Sequence, residues 1–178
     1  MQKNKQRGVL AVTAALGVGL AVFVGTGCSM LGYSVGNSLP PGINVVHVPS
    51  FENKTTEPQL ELYTTQATIS ELQREGSLMV GDLGKSDVVL HVDLIDLSLQ
   101  PLRYEADAST TTREYRMTIR AELRLVERST DKVLAKNTVK GETDFVPFGD
   151  LSTAKRDALP KASADLAHKI VKSIVEFW

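Results

Sequence analysis

The sequence predicts an α+β fold: a two-layer sandwich in which a mainly antiparallel sheet of four to five strands carries two helices packed on one face. Three observations lead there. Two stretches, near residues 58–76 and 157–177, repeat apolar residues three and four apart, the spacing of an amphipathic helix. Two others, within 88–99 and 115–125, alternate apolar with polar residues, the period of a strand that buries one face and wets the other, and turn chemistry at 128–131 leads into a third long strand at 132–145. The order of elements, β, α, a run of strands and then α, segregates the helices on one side of an antiparallel sheet.

Residues 43–48 form a short β-branched run stopped by Pro49, a first strand running into a loop at 50–57. Pro58 can open a helix because its missing N–H falls among donors that have no partner there, and Thr55 or Thr56 can cap it. Leu62, Thr65, Ile69 and Leu72 follow 3, 4, 3 spacing, with Leu60, Tyr63 and Ala67 in an adjacent stripe, until Gly76 ends the pattern. Residues 78–80 are a short strand. Val88, Leu90, Val92 and Leu94 then alternate strictly, and Ile95, Leu97 and Leu99 continue on the other parity, so a β-bulge is expected near Leu94 and Ile95. Tyr115, Met117, Ile119, Ala121, Leu123 and Leu125 point one way while Arg116, Thr118, Arg120, Glu122 and Arg124 point the other. Residues 128–131 supply turn chemistry into a third long strand at 132–145, which makes 113–145 a hairpin. In the last segment Leu159, Ala162, Leu166, Ile170, Ile174 and Phe177 lie on one stripe; an interior proline costs about 3 kcal/mol, so the helix is expected to start near Asp157 with Pro160 in its first turn, or to kink there.

The 178 residues are 42% hydrophobic and 23% charged with a net charge of -1, which excludes a collagen-like, disordered or multi-span membrane chain. That balance is a mixture. Residues 1–27 hold Lys3, Lys5 and Arg7 and no acid, so of 20 basic and 21 acidic side chains, 17 and 21 remain, and the rest of the chain carries -4. An acidic body argues against nucleic acid as the partner. Residues 8–27 are uncharged and follow a basic start, the pattern of a secretory signal. Cys28, the single cysteine, comes directly after it, so no intramolecular disulfide is available. A small buried thiol or a nucleophile accounts less well for that place than lipidation does: Val24-Gly25-Thr26-Gly27-Cys28 resembles a bacterial lipobox, with Gly25 where leucine is usual, and Ser29 resembles the sorting position of outer-membrane lipoproteins. Two or three acyl chains at about 0.8 kcal/mol per buried methylene give stable anchoring. The expected organisation is a signal at 1–27, a lipidated cysteine and tether at 28–42, and one domain at 43–178.

Chemistry is sparse. His47, His91 and His168 fall on different elements without metal-ligand spacing, and no nucleophile elbow, P-loop or dinucleotide fingerprint occurs in the domain, so neither a metal, a cofactor nor an enzymatic activity is expected. Asp82, Asp87, Asp93 and Asp96 invite a carboxylate-pair reading, against which stands the plainer one of solvated strand and loop charges. The segment 100–112 is long and polar for a hairpin connection. Arg103 and Arg113 at its base suit phosphate or carboxylate, while Leu102, Tyr104, Phe145, Val146 and Phe148 suit an apolar partner. A tip without a role accounts for the segment equally well.

Cys28, the Gly32-Tyr33 pair, Leu39-Pro40, the run from Val45 to Thr55, Glu114-Tyr115-Arg116-Met117 and the closing helix ending in Trp178 together resemble the lipopolysaccharide-assembly lipoprotein family, LptE. The resemblance implies a non-enzymatic outer-membrane lipoprotein on the periplasmic side, seated in the lumen of the LptD β-barrel as plug and assembly factor, that helps deliver lipopolysaccharide to the outer leaflet. It also implies basic contacts to lipopolysaccharide phosphates, for which Arg103, Arg113, Lys155 and Arg156 are the nearest counterparts. The Val-x-Val-Pro-x-Phe-x-Asn-x-Thr run is similar to periplasmic lipoproteins of the CsgG and LpoB type, which implies the alternative of a secretion factor or an activator of a cell-wall synthase.

Overall fold

Six strands and two helices are built from residues 42–104 and 112–176, the part described by the computed structural model, with backbone alone at 103, 104, 112 and 113. The expected signal at 1–27, Cys28 with most of its tether, the residues between 104 and 112, and Phe177 and Trp178 lie outside the described residues. The elements are β1 (Val45–His47), β2 (Glu52–Asn53), α1 (Leu60–Glu75), β3 (Met79–Val80), β4 (Val88–Tyr104), β5 (Thr112–Glu127), β6 (Val133–Phe145) and α2 (Leu151–Val175). The sheet runs β3-β1-β4-β5-β6, and β2 pairs with β4 farther along. β4, β5 and β6 are antiparallel, while β1 and β2 join β4 in parallel and β3 joins β1 in parallel. The α+β class and the mostly antiparallel sheet are as expected; the mixed edge and β2 are what the sequence did not reveal.

Alternation does what the strand period demands. Met117, Ile119, Ala121, Leu123 and Leu125 of β5 and Val88, Leu90, Val92 and Leu94 of β4 are buried, in one core with Leu159, Ala162, Leu166, Ile170 and Ile174 of α2. The β4 register shifts between Leu94 and Asp96, so the expected bulge is present and returns Leu97 and Leu99 to the core side. The strands continue past the last alternating pair. Pro101 faces Tyr115 and Arg103 faces Glu114, so much of the 100–112 segment belongs to the ladder and not to a loop.

The helices depart from expectation at their starts. Gln59 precedes α1 in the left-handed region at φ 64°, and neither threonine caps it. Instead Asn53 organises the approach: its Oδ1 accepts from Thr55 N and Oγ1 at 3.0 and 2.7 Å, and its Nδ2 donates to Glu57 O and Glu61 Oε2 at 2.8 Å each. The buried face of α1 is Leu60, Thr64, Thr68 and Leu72, while Leu62, expected inside, is 58% exposed. Thr64 and Thr68 enter the core because their hydroxyls donate to the carbonyls of Leu60 and Thr64 at 2.8 Å. Gly76 ends α1 at φ 81° and donates to Leu72 O, as its position predicts. The second helix begins at Leu151, not near Asp157, because Asp150 caps it by accepting from Ser152 N and Thr153 N; Pro160 is therefore interior and on the exposed side.

The two helices lie side by side and are clipped to the sheet. His168 of α2 meets Glu71 of α1 at 2.9 Å, and that hydrogen bond, followed by the one from Arg74, holds the Glu71 carboxyl below the usual carboxylate range. Asp165 accepts from Glu142 N of β6 at 2.7 Å, and Asn137 donates to Ser173 Oγ at 2.9 Å. Gly141 lets α2 touch β6: a Cβ there would lie 2.5 Å from Leu166 Cβ and 2.6 Å from Ala162 O.

Candidate functional site

The far end of the β4–β5 hairpin and the first turns of α2 come together at one end of the molecule. β6 stops at Phe145, paired with Tyr115, and the chain crosses through residues 146–150 to the α2 cap. Tyr115 and Phe145 stack with ring centroids 5.8 Å apart. Beside them Arg116 donates to both oxygens of Asp144, at 2.7 and 2.9 Å, which lowers the Asp144 carboxyl and raises the Arg116 guanidinium from their ordinary values. Between this ladder and α2 opens a cleft of about 430 Å³ with Glu114, Phe145, Phe148, Ala154, Asp157 and Lys161 among its walls. Its rim is apolar. Phe148 is 91% exposed, and Val146, Leu151 and Leu102 at the same end are also accessible. Phe148 stands on a bend that Gly149 makes possible at φ 88°.

The basic residues predicted to contact an anion reach this end by different routes. Arg103 lies near the end of β4 and Arg113 near the start of β5, and their side chains lie outside the described residues. Lys155 and Arg156 occupy the second turn of α2. Arg156 is exposed with no ion pair among the described residues. Lys155 is not open: its Nζ donates to Glu57 Oε2 from the loop ahead of α1, with side-chain exposures of 27% and 15%. Sequence reasoning missed Glu57, which lies 98 residues from its partner, a separation that leaves no local signal. It missed Lys161 too, although a helical lysine four residues after Asp157 was open to inspection.

Two of the carboxylates considered for catalysis, Asp87 and Asp93, are engaged elsewhere. Asp87 accepts from Asn44 N and Val45 N, both at 2.9 Å, and these bonds hold its carboxyl low. Asp93 takes Lys54 at 3.0 Å and Arg124 at 3.8 Å. His47 Nδ1 meets Gly81 O at 3.0 Å. Among the described residues no cluster of His, Cys, Asp and Glu could hold a metal ion, and no helix is long and apolar enough to cross a membrane.

The sequence model of the family LptE, described as lipopolysaccharide-assembly, matches residues 43–174, which is nearly the whole domain. The chain belongs to the LptE family. No curated protein matches it. Among solved structures, a Xanthomonas campestris protein is similar at TM-score 0.55 and 12% identity over 80% of this chain and 87% of that one. A Chlamydia trachomatis protein gives 0.53 and 7% over 74% and 95%, and the PelC dodecamer of Paraburkholderia phytofirmans 0.50 and 16% over 79% and 92%. At these identities the likeness is one of fold alone. LptE membership brings lipopolysaccharide assembly to the chain.

Proposed function

We propose that this chain is a non-enzymatic lipoprotein, anchored through Cys28 to the periplasmic side of the outer membrane, that partners the LptD β-barrel as plug and assembly factor and helps deliver lipopolysaccharide to the outer leaflet. The observation that carries the reading is the family match over residues 43–174. It is supported by an exposed apolar end, where Phe148, Val146 and Leu151 stand free to be buried by a partner, and by the exposed Arg156 beside it. Arg103, Arg113, Lys155 and Arg156 are the proposed contacts to lipopolysaccharide phosphates, since guanidinium and ammonium groups are the donors phosphate recognition uses. The run shared with CsgG and LpoB types gives no support to that alternative: Phe51 is buried and Asn53 organises the approach to α1, so those residues have structural work in any such fold.

Affinity purification of the full-length lipoprotein from native membranes tests the reading. Recovery of LptD is expected, and recovery of a peptidoglycan synthase in its place overturns it. Intact-mass analysis of the same material is expected to show a diacylated Cys28 at the N-terminus; residues 1–27 still attached would refute the anchor.

A further inference from the structure

Lys155 does not wait with an open charge. Its partner Glu57 is held from behind: Glu57 N donates to Thr55 Oγ1 at 3.2 Å, Glu57 O accepts from Asn53 Nδ2 at 2.8 Å, and Asn53 Oδ1 fixes Thr55 in turn. Asn53 is itself tied to Glu61 in the first turn of α1 and paired with Leu94 of β4. The carboxylate is thus aimed at Lys155 by a hydrogen-bonded loop spanning residues 53–57. A carboxylate offers an ammonium the same anionic oxygen acceptor that a phosphate does.

We propose that Glu57 is a built-in competitor for Lys155: it occupies the lysine while no ligand is bound, and a phosphate group of an anionic lipid displaces it on binding. The proposal rests on the reading of Lys155 as a lipopolysaccharide contact. A lysine only about a quarter exposed is poorly solvated, so it keeps a partner at all times and exchanges one anion for another. Two consequences follow from the geometry. The carboxylate sets a threshold, because a doubly charged phosphate outcompetes it where a singly charged or neutral headgroup does not. And its displacement frees the Glu57 side chain while the backbone bonds of the 53–57 loop stay in place.

Full-length lipoprotein purified in detergent is titrated with lipopolysaccharide, with the same lipopolysaccharide stripped of phosphate, and with inorganic phosphate. Glu57→Gln is expected to bind intact lipopolysaccharide about fivefold more tightly, the factor a partly exposed ion pair commands, and Lys155→Gln more weakly. The stripped lipid should bind wild type and Glu57→Gln alike. Equal affinity of Glu57→Gln and wild type, with Lys155→Gln still impaired, overturns the competitor while leaving the lysine as a contact. No effect from either variant removes Lys155 from the site and the underlying reading with it. Inorganic phosphate reproducing the full fivefold difference overturns the assignment to a lipid. Carboxyl-detected NMR on the wild-type protein is independent of variant folding: lipopolysaccharide should shift the Glu57 side-chain resonance, and an unchanged resonance contradicts displacement.

Discussion

Asp150 is the residue on which the start of α2 depends. Its carboxylate accepts from the backbone N–H of Thr153 and the Ser152 hydroxyl first, then from the Thr153 hydroxyl and Ser152 N–H, and these bonds pull its carboxyl down to about 2. A folded value below the unfolded one means stabilisation present above the unfolded pKa, 3.8, and lost as pH falls toward about 2. Asp150→Ala is therefore expected to melt a few degrees lower at neutral pH, Asp150→Asn to lose less because asparagine also caps, and both differences to vanish near pH 2 in thermal scans followed by circular dichroism. Ser163 is the opposite case. Its Oγ is buried without a hydrogen-bond partner among the described residues, so Ser163→Ala should raise stability by about 1 kcal/mol in urea denaturation. At this scale the sequence is hardest to read. Thr64 and Thr68 look like surface residues and are buried, because each satisfies its hydroxyl one turn back; Leu62 looks like core and is exposed. Glu57 as the partner of Lys155 depends on tertiary approach alone.

Elements with a long, uniform period were legible, and short or interrupted ones were not. The β4 bulge, the two faces of β5 and the β5–β6 hairpin follow from alternation, since a one-residue slip would turn every apolar side chain to water. β2 has two residues and therefore no period, and it exists only because β4 offers its edge there. The start of α2 was misplaced because Pro160 outweighed a cap signal, Asp150 followed by Ser152 and Thr153, that was present in the sequence. A proline at an exposed interior site removes one hydrogen bond without colliding with the core, and the helix persists through it. Helix–sheet contact is tightest at Gly141, where the added Cβ of alanine would meet Leu166 Cβ and helix backbone that cannot swing aside. Gly141→Ala is expected to cost about 1–3 kcal/mol by urea denaturation, the range of an overpacked core.

The molecule as a whole is acidic outside its first residues, and its most exposed large apolar side chain is Phe148 among the described residues. With residues 1–27 set aside the chain carries -4, so an anionic lipid is met by a few placed cations and not by a general basic field. Phe148 lies apart from the core, and its 91% exposure predicts that Phe148→Asp leaves the melting temperature unchanged while weakening recovery of the partner from membranes severalfold, as an exposed aromatic anchor would. The sequence named the aromatic, the arginines and the second-turn cations of this end separately, but only the fold places Lys155 against Glu57 and Phe148 beside the α2 cleft. In the proposed function this end of an LptE-family domain meets the LptD barrel. Its most direct test is site-specific photocrosslinking from position 148 in native membranes, read by mass spectrometry of the crosslinked band. An adduct to LptD is expected, and Val146→Asp at a neighbouring position is expected to diminish it. Crosslinks to a different envelope protein, with LptD absent from both the band and the co-purified material, would contradict it.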